Sequence, residues 1–263
     1  MGSPLLGLIE EAPTGPGVYL LLAAEQRLVY VGKAGNLRRR LKEHARADRR
    51  TFRSVVDLRW EETPDERTAL VREADLIVLI KPRGNRAHTA QNKHCYVRIG
   101  DTSIDLVDAP VCGYGTFMHV AKGTFSQAST MTKAGFAALL RLLWVVQADR
   151  NKAARIPGRI AGDSPPLTHP FAVADEWREP LHDFLMGTSI SLVPALHARV
   201  LDADDLPEIM QLSLARDAEA ACTFFELAPA RLRAARERYG LADGPVDGRQ
   251  YGRLLAAELG VRR

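Results

Sequence analysis

Two tyrosines carry the first chemical signal in this chain. Tyr19 ends the tripeptide Gly17-Val18-Tyr19, Tyr30 opens Tyr30-Val31-Gly32, and Lys33 follows directly. Phenols in strands usually just pack, so the pair alone says little. A phenol beside an ammonium is different, because the positive charge favours the phenolate and lets the tyrosine take or orient a proton. Arg40 and His44 stand at i and i+4, which places both on one face of a helix. The guanidinium fork of Arg40 suits a phosphate. From Lys33 to Arg53 the chain carries Lys33, Arg38, Arg39, Arg40, Lys42, Arg46, Arg49, Arg50 and Arg53 against only Glu43 and Asp48. A cationic surface of this kind attracts phosphates by counterion release. The bland alternative is a solvated helix face.

These residues need elements to position them. Gly17 to Leu22 and Arg27 to Gly32 read as two β-strands, joined by a hairpin connection over 23–26. Asn36 is an N-cap for a helix from Leu37 to about Ala47, with Leu37 and Leu41 on one face. Val55 to Trp60 reads as a third strand. Pro64 fits the first turn of a second helix that carries Leu70, Ala74, Ile77 and Val78 and ends near Ile80, because Pro82 disfavours helix before it. The order strand, strand, helix, strand, helix describes a small α/β (α+β) layer.

Beyond it, Cys95 to Ile99 and Ser103 to Val107 read as strands, and Lys133 to Gln147 as a helix carrying Phe136, Leu139, Leu140, Leu143 and Val146. Residues 156–170 are rich in Gly and Pro and read as a linker or ordered loop. Residues from about 174 read as helices. The expected organisation is therefore 1–90, 91–155 and 156–263. The polar stretch from Tyr114 to Thr132, with Lys122, Ser126, Thr130 and Thr132, is a candidate DNA-contacting loop or a plain connection.

Bulk properties bound the rest. The chain has 263 residues, 46% hydrophobic, with a net charge of +4. Its mean hydropathy is −0.15 and its pI about 9.1. No apolar run approaches the ~20 residues of a membrane span, and Met1 to Glu11 does not resemble a secretory signal. Cys95, Cys112 and Cys222 lie too far apart for a CxxC pair and read as reduced thiols of a cytoplasmic protein.

The string Gly17-Val18-Tyr19, Tyr30-Val31-Gly32-Lys33-Ala34, Asn36-Leu37 and Arg40, followed by Glu73 and Pro82-Arg83-Gly84-Asn85, resembles the GIY-YIG nuclease superfamily. Within it, the pattern is similar to the N-terminal nuclease domain of the excision-repair protein UvrC and its shorter relative Cho. The resemblance covers residues 13–86. A looser likeness continues through Gly113-Tyr114-Gly115, His182 to Gly187 and Phe225-Glu226-Leu227-Ala228, on which no residue role rests.

The resemblance implies a DNA endonuclease that hydrolyses phosphodiester bonds with one Mg²⁺ or Mn²⁺. It implies Glu73 as the metal ligand, with water and phosphate oxygens completing the shell. Arg40 would stabilise the developing phosphate charge. Tyr30 would be the general base or would orient the water, its ordinary pKa near ~10 lowered by Lys33. Tyr19 and His44 would share the proton network, and whether His44 or Tyr30 takes the proton stays open. Asn85 would tie the loop after the second helix back to the site. Lys33, Asn36, Arg38, Arg39, Arg40 and Lys42 are the candidate DNA contacts.

Some family features are missing. No cysteine lies in 151–178, where UvrC proteins carry a four-cysteine site, so no iron–sulfur cluster is expected. Phe225-Glu226 is similar to the start of the segment that docks UvrB, but the pattern after it is not matched, which puts that partner in doubt. The RNase H-like half of UvrC is also expected to be absent, leaving one incision per site. The preferred reading is nicking of damaged or distorted DNA in repair or self-protection. The alternatives are a sequence-specific restriction or mobile-element nuclease, and a non-catalytic DNA-binding protein.

Overall fold

In the computed structural model, the described residues are 5–46, 54–85, 92–107, 113–120, 127–148, 156–163, 168–202 and 206–262. They form two compact units, residues 1–92 with 248–263, and residues 93–247. This differs from the expected division. The last sixteen residues pack with the first ninety, and the expected boundary at 155/156 falls inside one unit.

The first unit is built on three strands, β1 (Gly17–Ala23), β2 (Arg27–Ala34) and β3 (Asp57–Glu62), in the order β2-β1-β3, both pairings antiparallel. The third strand begins two residues later than expected. Central β1 is buried along its whole length, so its two faces enter two cores. Val18, Leu20 and Leu22 pack with Leu76, Ile77, Leu79 and Ile80 of helix α3 (Glu66–Ile80). Tyr19 and Leu21 pack with Ile9 of α1 (Leu5–Ile9) and with Leu37 and Leu41 of α2 (Leu37–Arg46). The period-two alternation of a strand therefore sends each tyrosine-side residue toward α2 and its neighbours toward α3.

Local signals explain the helix ends. Asn36 caps α2, its Oδ1 accepting from the Arg39 amide at 2.9 Å. Asp65, rather than Pro64, defines the start of α3; its Oδ1 accepts from the Thr68 amide at 2.7 Å, which leaves Pro64 just outside the helix. At the other end Lys81 adopts the left-handed conformation and stops the helix before Pro82.

Helix Gly248–Glu258, at the far end of the chain, lies against α3 and adds Leu255, Ala256 and Val261 to the same core. Its tail then runs beside β2: the Leu28 amide donates to the Arg262 carbonyl at 2.9 Å, and the Arg262 amide to the Gln26 carbonyl at 2.8 Å. Arg59 of β3 donates to the Leu259 carbonyl and to Gln26 Oε1.

The second unit has a sheet of β4 (Asn92–Ile99), β5 (Ile104–Val107), β6 (Tyr114–Val120) and β7 (Thr168–His169) in the order β6-β4-β5-β7. It is followed by helices, of which Gln127–Gln147 and Glu208–Leu227 are the longest. The candidate DNA-contacting loop is corrected here. Tyr114–Val120 is a strand, Thr130 and Thr132 lie in the helix from Gln127, and Thr132 is buried. Lys122 and Ser126 fall outside the described residues, as do Cys112 and Arg49, Arg50 and Arg53 of the basic run. Within the Gly- and Pro-rich stretch, residues 156–163 form an ordered loop: Arg141 donates to the carbonyls of Ile160 and Gly162, both at 2.9 Å, while pairing with Asp217 at 2.6 Å. Among the described residues no helix is long and apolar enough to cross a membrane.

Leu255 is 1% exposed, so Leu255→Ala should cost about 2–5 kcal/mol of the first unit's stability. Native-state hydrogen exchange of the β1 amides measures this. Loss of protection confined to residues 93–247 would contradict the assignment of the C-terminal helix to the first unit.

Candidate active site

The site grows out of the free edge of β2. In the antiparallel pair Val31 faces Leu20 and Lys33 faces Val18. The outward N–H and C=O of Val31 are both taken by one side chain. Asn85 Oδ1 accepts from the Val31 amide at 2.9 Å, and Asn85 Nδ2 donates to the Val31 carbonyl at 2.8 Å. Asn85 is 3% exposed, so this amide replaces a missing strand. Two residues on, the Lys33 amide donates to Glu73 Oε1 at 3.0 Å. Asn85 thus ties the turn after α3 to the backbone of β2.

Glu73 is aimed by its helix. Its neighbour Arg72 donates through Nε and Nη2 to Glu61 Oε2 on β3, at 3.0 and 2.9 Å. Consecutive residues of α3 therefore reach opposite edge strands, which fixes the rotation of the helix over the sheet. Burial pushes the Glu73 carboxyl up to about 7; the Lys33 amide and the charges of Lys33 and Arg40 oppose this without cancelling it.

On the α2 face three rings meet. The Tyr19 hydroxyl lies 2.6 Å from His44 Nε2, and both residues are buried. The Tyr30 ring sits 6.1 Å from Tyr19 and 5.8 Å, edge-on, from His44. Burial, with Tyr30 and Glu73 adding to it, drives the Tyr19 pKa far up, while the guanidinium of Arg40 pulls it down. Tyr19 is consequently a neutral phenol, a hydrogen-bonding partner for His44 rather than a base. Tyr30 is half-buried.

The glycines of the motif have steric reasons. A Cβ on Gly32 would lie 2.2 Å from the Tyr19 hydroxyl, and one on Gly17 would lie 2.3 Å from the Glu61 carbonyl. The tyrosine ring crosses β2 at the one residue without a side chain.

The structure brings together Tyr19, Tyr30, Lys33, Arg40, His44, Glu73 and Asn85, the seven candidate residues. The candidate DNA contacts divide. Asn36 is spent on the helix cap, and Arg38 Nε donates to the Ala12 carbonyl at 2.6 Å. Arg39, Arg40 and Lys42 remain at the surface, near carboxylates: Arg40 Nη1 is 2.9 Å from Glu43 Oε2, Arg39 3.9 Å from Glu43 Oε1, and Lys42 3.6 Å from Glu10. Glu43 is the residue whose place in the site sequence reading passed over; its i+3 spacing from Arg40 was the available signal.

Residues 15–86 match the UvrC-like GIY-YIG domain. Over 87 residues the chain is 42% identical to UvrABC system protein C of Aquifex aeolicus, a match covering 31% of this chain and 15% of that protein. It is 38% identical over 89 residues to the protein of the same name from Rhodopseudomonas palustris, covering 32% and 13%. The chain thus matches about a seventh of the length of these relatives. Among solved structures, the GIY-YIG N-terminal endonuclease domain of UvrC from Thermotoga maritima, bound to magnesium as its catalytic cation, is 29% identical. That match covers 32% of this chain and 99% of the domain, with a TM-score of 0.30. The motif residues named above fall inside the stretch 15–86 that matches the UvrC-like GIY-YIG domain.

A carboxyl whose folded pKa is raised binds its proton more tightly than the unfolded chain does. Between the ordinary value of 4.5 and about 7, metal-free stability should fall as pH rises, and then level off. The loss is on the order of 3 kcal/mol. Glu73→Gln should remove that slope, read by exchange of the β1 amides in EDTA at pH 5 and pH 8. Parallel profiles for the two proteins would contradict the burial argument.

Proposed function

We propose that this protein is a metal-dependent DNA endonuclease that nicks damaged or distorted duplex. The observation that carries the reading is the convergence of the Glu73 carboxylate, the Arg40 guanidinium and the Tyr19–His44–Tyr30 cluster around the Gly32-Lys33 end of β2. The UvrC-like GIY-YIG match over 15–86 supports it.

The residues fit a hard divalent cation. Glu73 is a part-buried carboxyl with an oxygen fixed by an amide and a pKa lifted toward neutrality, the condition in which a dication restores the charged form. Among the described residues there is no cluster of three or more His, Cys, Asp or Glu. A single protein carboxylate with water and phosphate oxygens suits Mg²⁺ or Mn²⁺. When bound, the cation would polarise the scissile phosphate and help the departing oxygen.

The chain's own groups supply the rest. Arg40 faces the Tyr19 hydroxyl from the solvent side and can present its fork to the phosphate as charge develops. Tyr30, edge-on to the His44 ring, orients the attacking water or takes its proton. His44, held through Nε2 by neutral Tyr19, is the proton's next stop. Asn85 fixes the backbone of Val31 and so the position of Tyr30 next to it.

Distorted duplex is cheaper to bend and unstack, so a nuclease without base readout gains selectivity for it. The similarity to UvrABC system protein C favours this repair role over restriction.

Supercoiled plasmid, intact or ultraviolet-damaged, tests the reading. Nicking should require Mg²⁺ or Mn²⁺, stop in EDTA, favour the damaged plasmid, and fall by at least ~10³-fold in Glu73→Ala, in keeping with the loss of a group that stabilises transition-state charge. Cleavage that survives in Glu73→Ala would exclude this site. DNA binding without cleavage in either metal would favour a non-catalytic DNA-binding protein.

A further inference from the structure

The basic helix α2 is internally compensated. Arg40 Nη1 and Arg39 Nε share the two oxygens of Glu43, at 2.9 and 3.9 Å, and Lys42 lies 3.6 Å from Glu10. Arg40 and Glu43 are about half exposed, 46% and 48%, so an approaching phosphate can reach the same fork. Each of the pair stabilises the other's charge: Glu43 is the first cause of the raised Arg40 pKa, and Arg40 the first cause of the lowered Glu43 pKa. Nη1 carries two N–H donors and Glu43 holds one of them, so a phosphate that draws on both, or on the full charge of the guanidinium, competes with that carboxylate.

We infer that Glu43 is a specificity-setting competitor, an internal anion that occupies Arg40 in the absence of DNA and that the backbone phosphate must displace. This rests on the nuclease reading of the site. Displacement makes engagement of Arg40 conditional on a phosphate held firmly by the rest of the site, and it weakens binding to DNA that presents one loosely. Phosphate exchange for Glu43 also replaces one ion pair by another, so wild-type binding should release fewer counterions than the number of cations suggests.

Glu43→Gln keeps the shape of the side chain and removes the competition. Binding of a fluorescently labelled short duplex in EDTA should tighten about three- to tenfold, the range of one exposed to part-desolvated charge pair. The salt dependence should steepen by up to ~0.9 in slope. Glu10→Gln, the same charge change beside Lys42, is the control for a general field effect and should have a smaller effect. In an Arg40→Ala background, Glu43→Gln should shrink to the Glu10→Gln level. In cleavage, Glu43→Gln should lower KM at unchanged kcat, and discrimination between damaged and intact plasmid should narrow.

Equal tightening by Glu43→Gln and Glu10→Gln, or persistence of the effect without Arg40, would overturn the inference. So would a fall in kcat, because Glu43 would then be aiming Arg40 rather than competing for it. Failure of the wild type to cut while it still binds would strike the nuclease reading alone, since the binding comparison stands without cleavage. Binding by neither protein would overturn both.

Discussion

The outward backbone of β2 is the constraint on which the first unit depends. An edge strand leaves a row of N–H and C=O groups that must find partners or water, and an open row invites pairing with other chains. Here each described stretch of that edge is closed by a different part of the molecule: Leu28 by the Arg262 carbonyl, Val31 by the amide of Asn85, and Lys33 by the carboxylate of Glu73. Closing the edge and building the site are the same event. The residue that satisfies the Lys33 amide is the candidate metal ligand, and the residue that satisfies Val31 pins the backbone next to Tyr30.

This coupling sets the residue size and type that each position of the motif requires. Gly32 is small because the Tyr19 ring crosses it, and Tyr19 crosses it to reach His44. Arg72 and Glu73 cannot exchange roles, because one reaches β3 and the other β2. The site thus sits where both cores of the sheet end. The α3 core delivers the carboxylate, the α2 core delivers the rings and the guanidinium, and β2 is shared by both.

Much of this was legible in residue types. The continuous apolar run of Gly17–Ala23, the Asn36 cap and the stop before Pro82 are local signals, and the structure follows them. The family resemblance, rather than spacing alone, named Tyr19, Tyr30, Lys33, Arg40, His44, Glu73 and Asn85 as one candidate site. What local reading missed depended on distant partners. Leu255 and Val261 look like ordinary apolar residues of a C-terminal helix, and nothing near them in sequence names α3 and β2 as their destination. Strand Tyr114–Val120 was hidden because Gly, Thr and His dilute its apolar alternation, and it is stabilised by pairing with β4. Arg38 and Asn36 looked like phosphate contacts on charge and polarity, yet the chain uses both to fix its own backbone.

The central claim is that the Lys33–Glu73 contact marks the cation site, and paramagnetic NMR tests it most directly. Substoichiometric Mn²⁺ should broaden the Lys33 and Glu73 amide signals first, then those of Tyr30 and Arg40, and Glu73→Gln should abolish the effect at the same concentration. Broadening centred on another part of the molecule, or persisting unchanged in Glu73→Gln, would contradict the account.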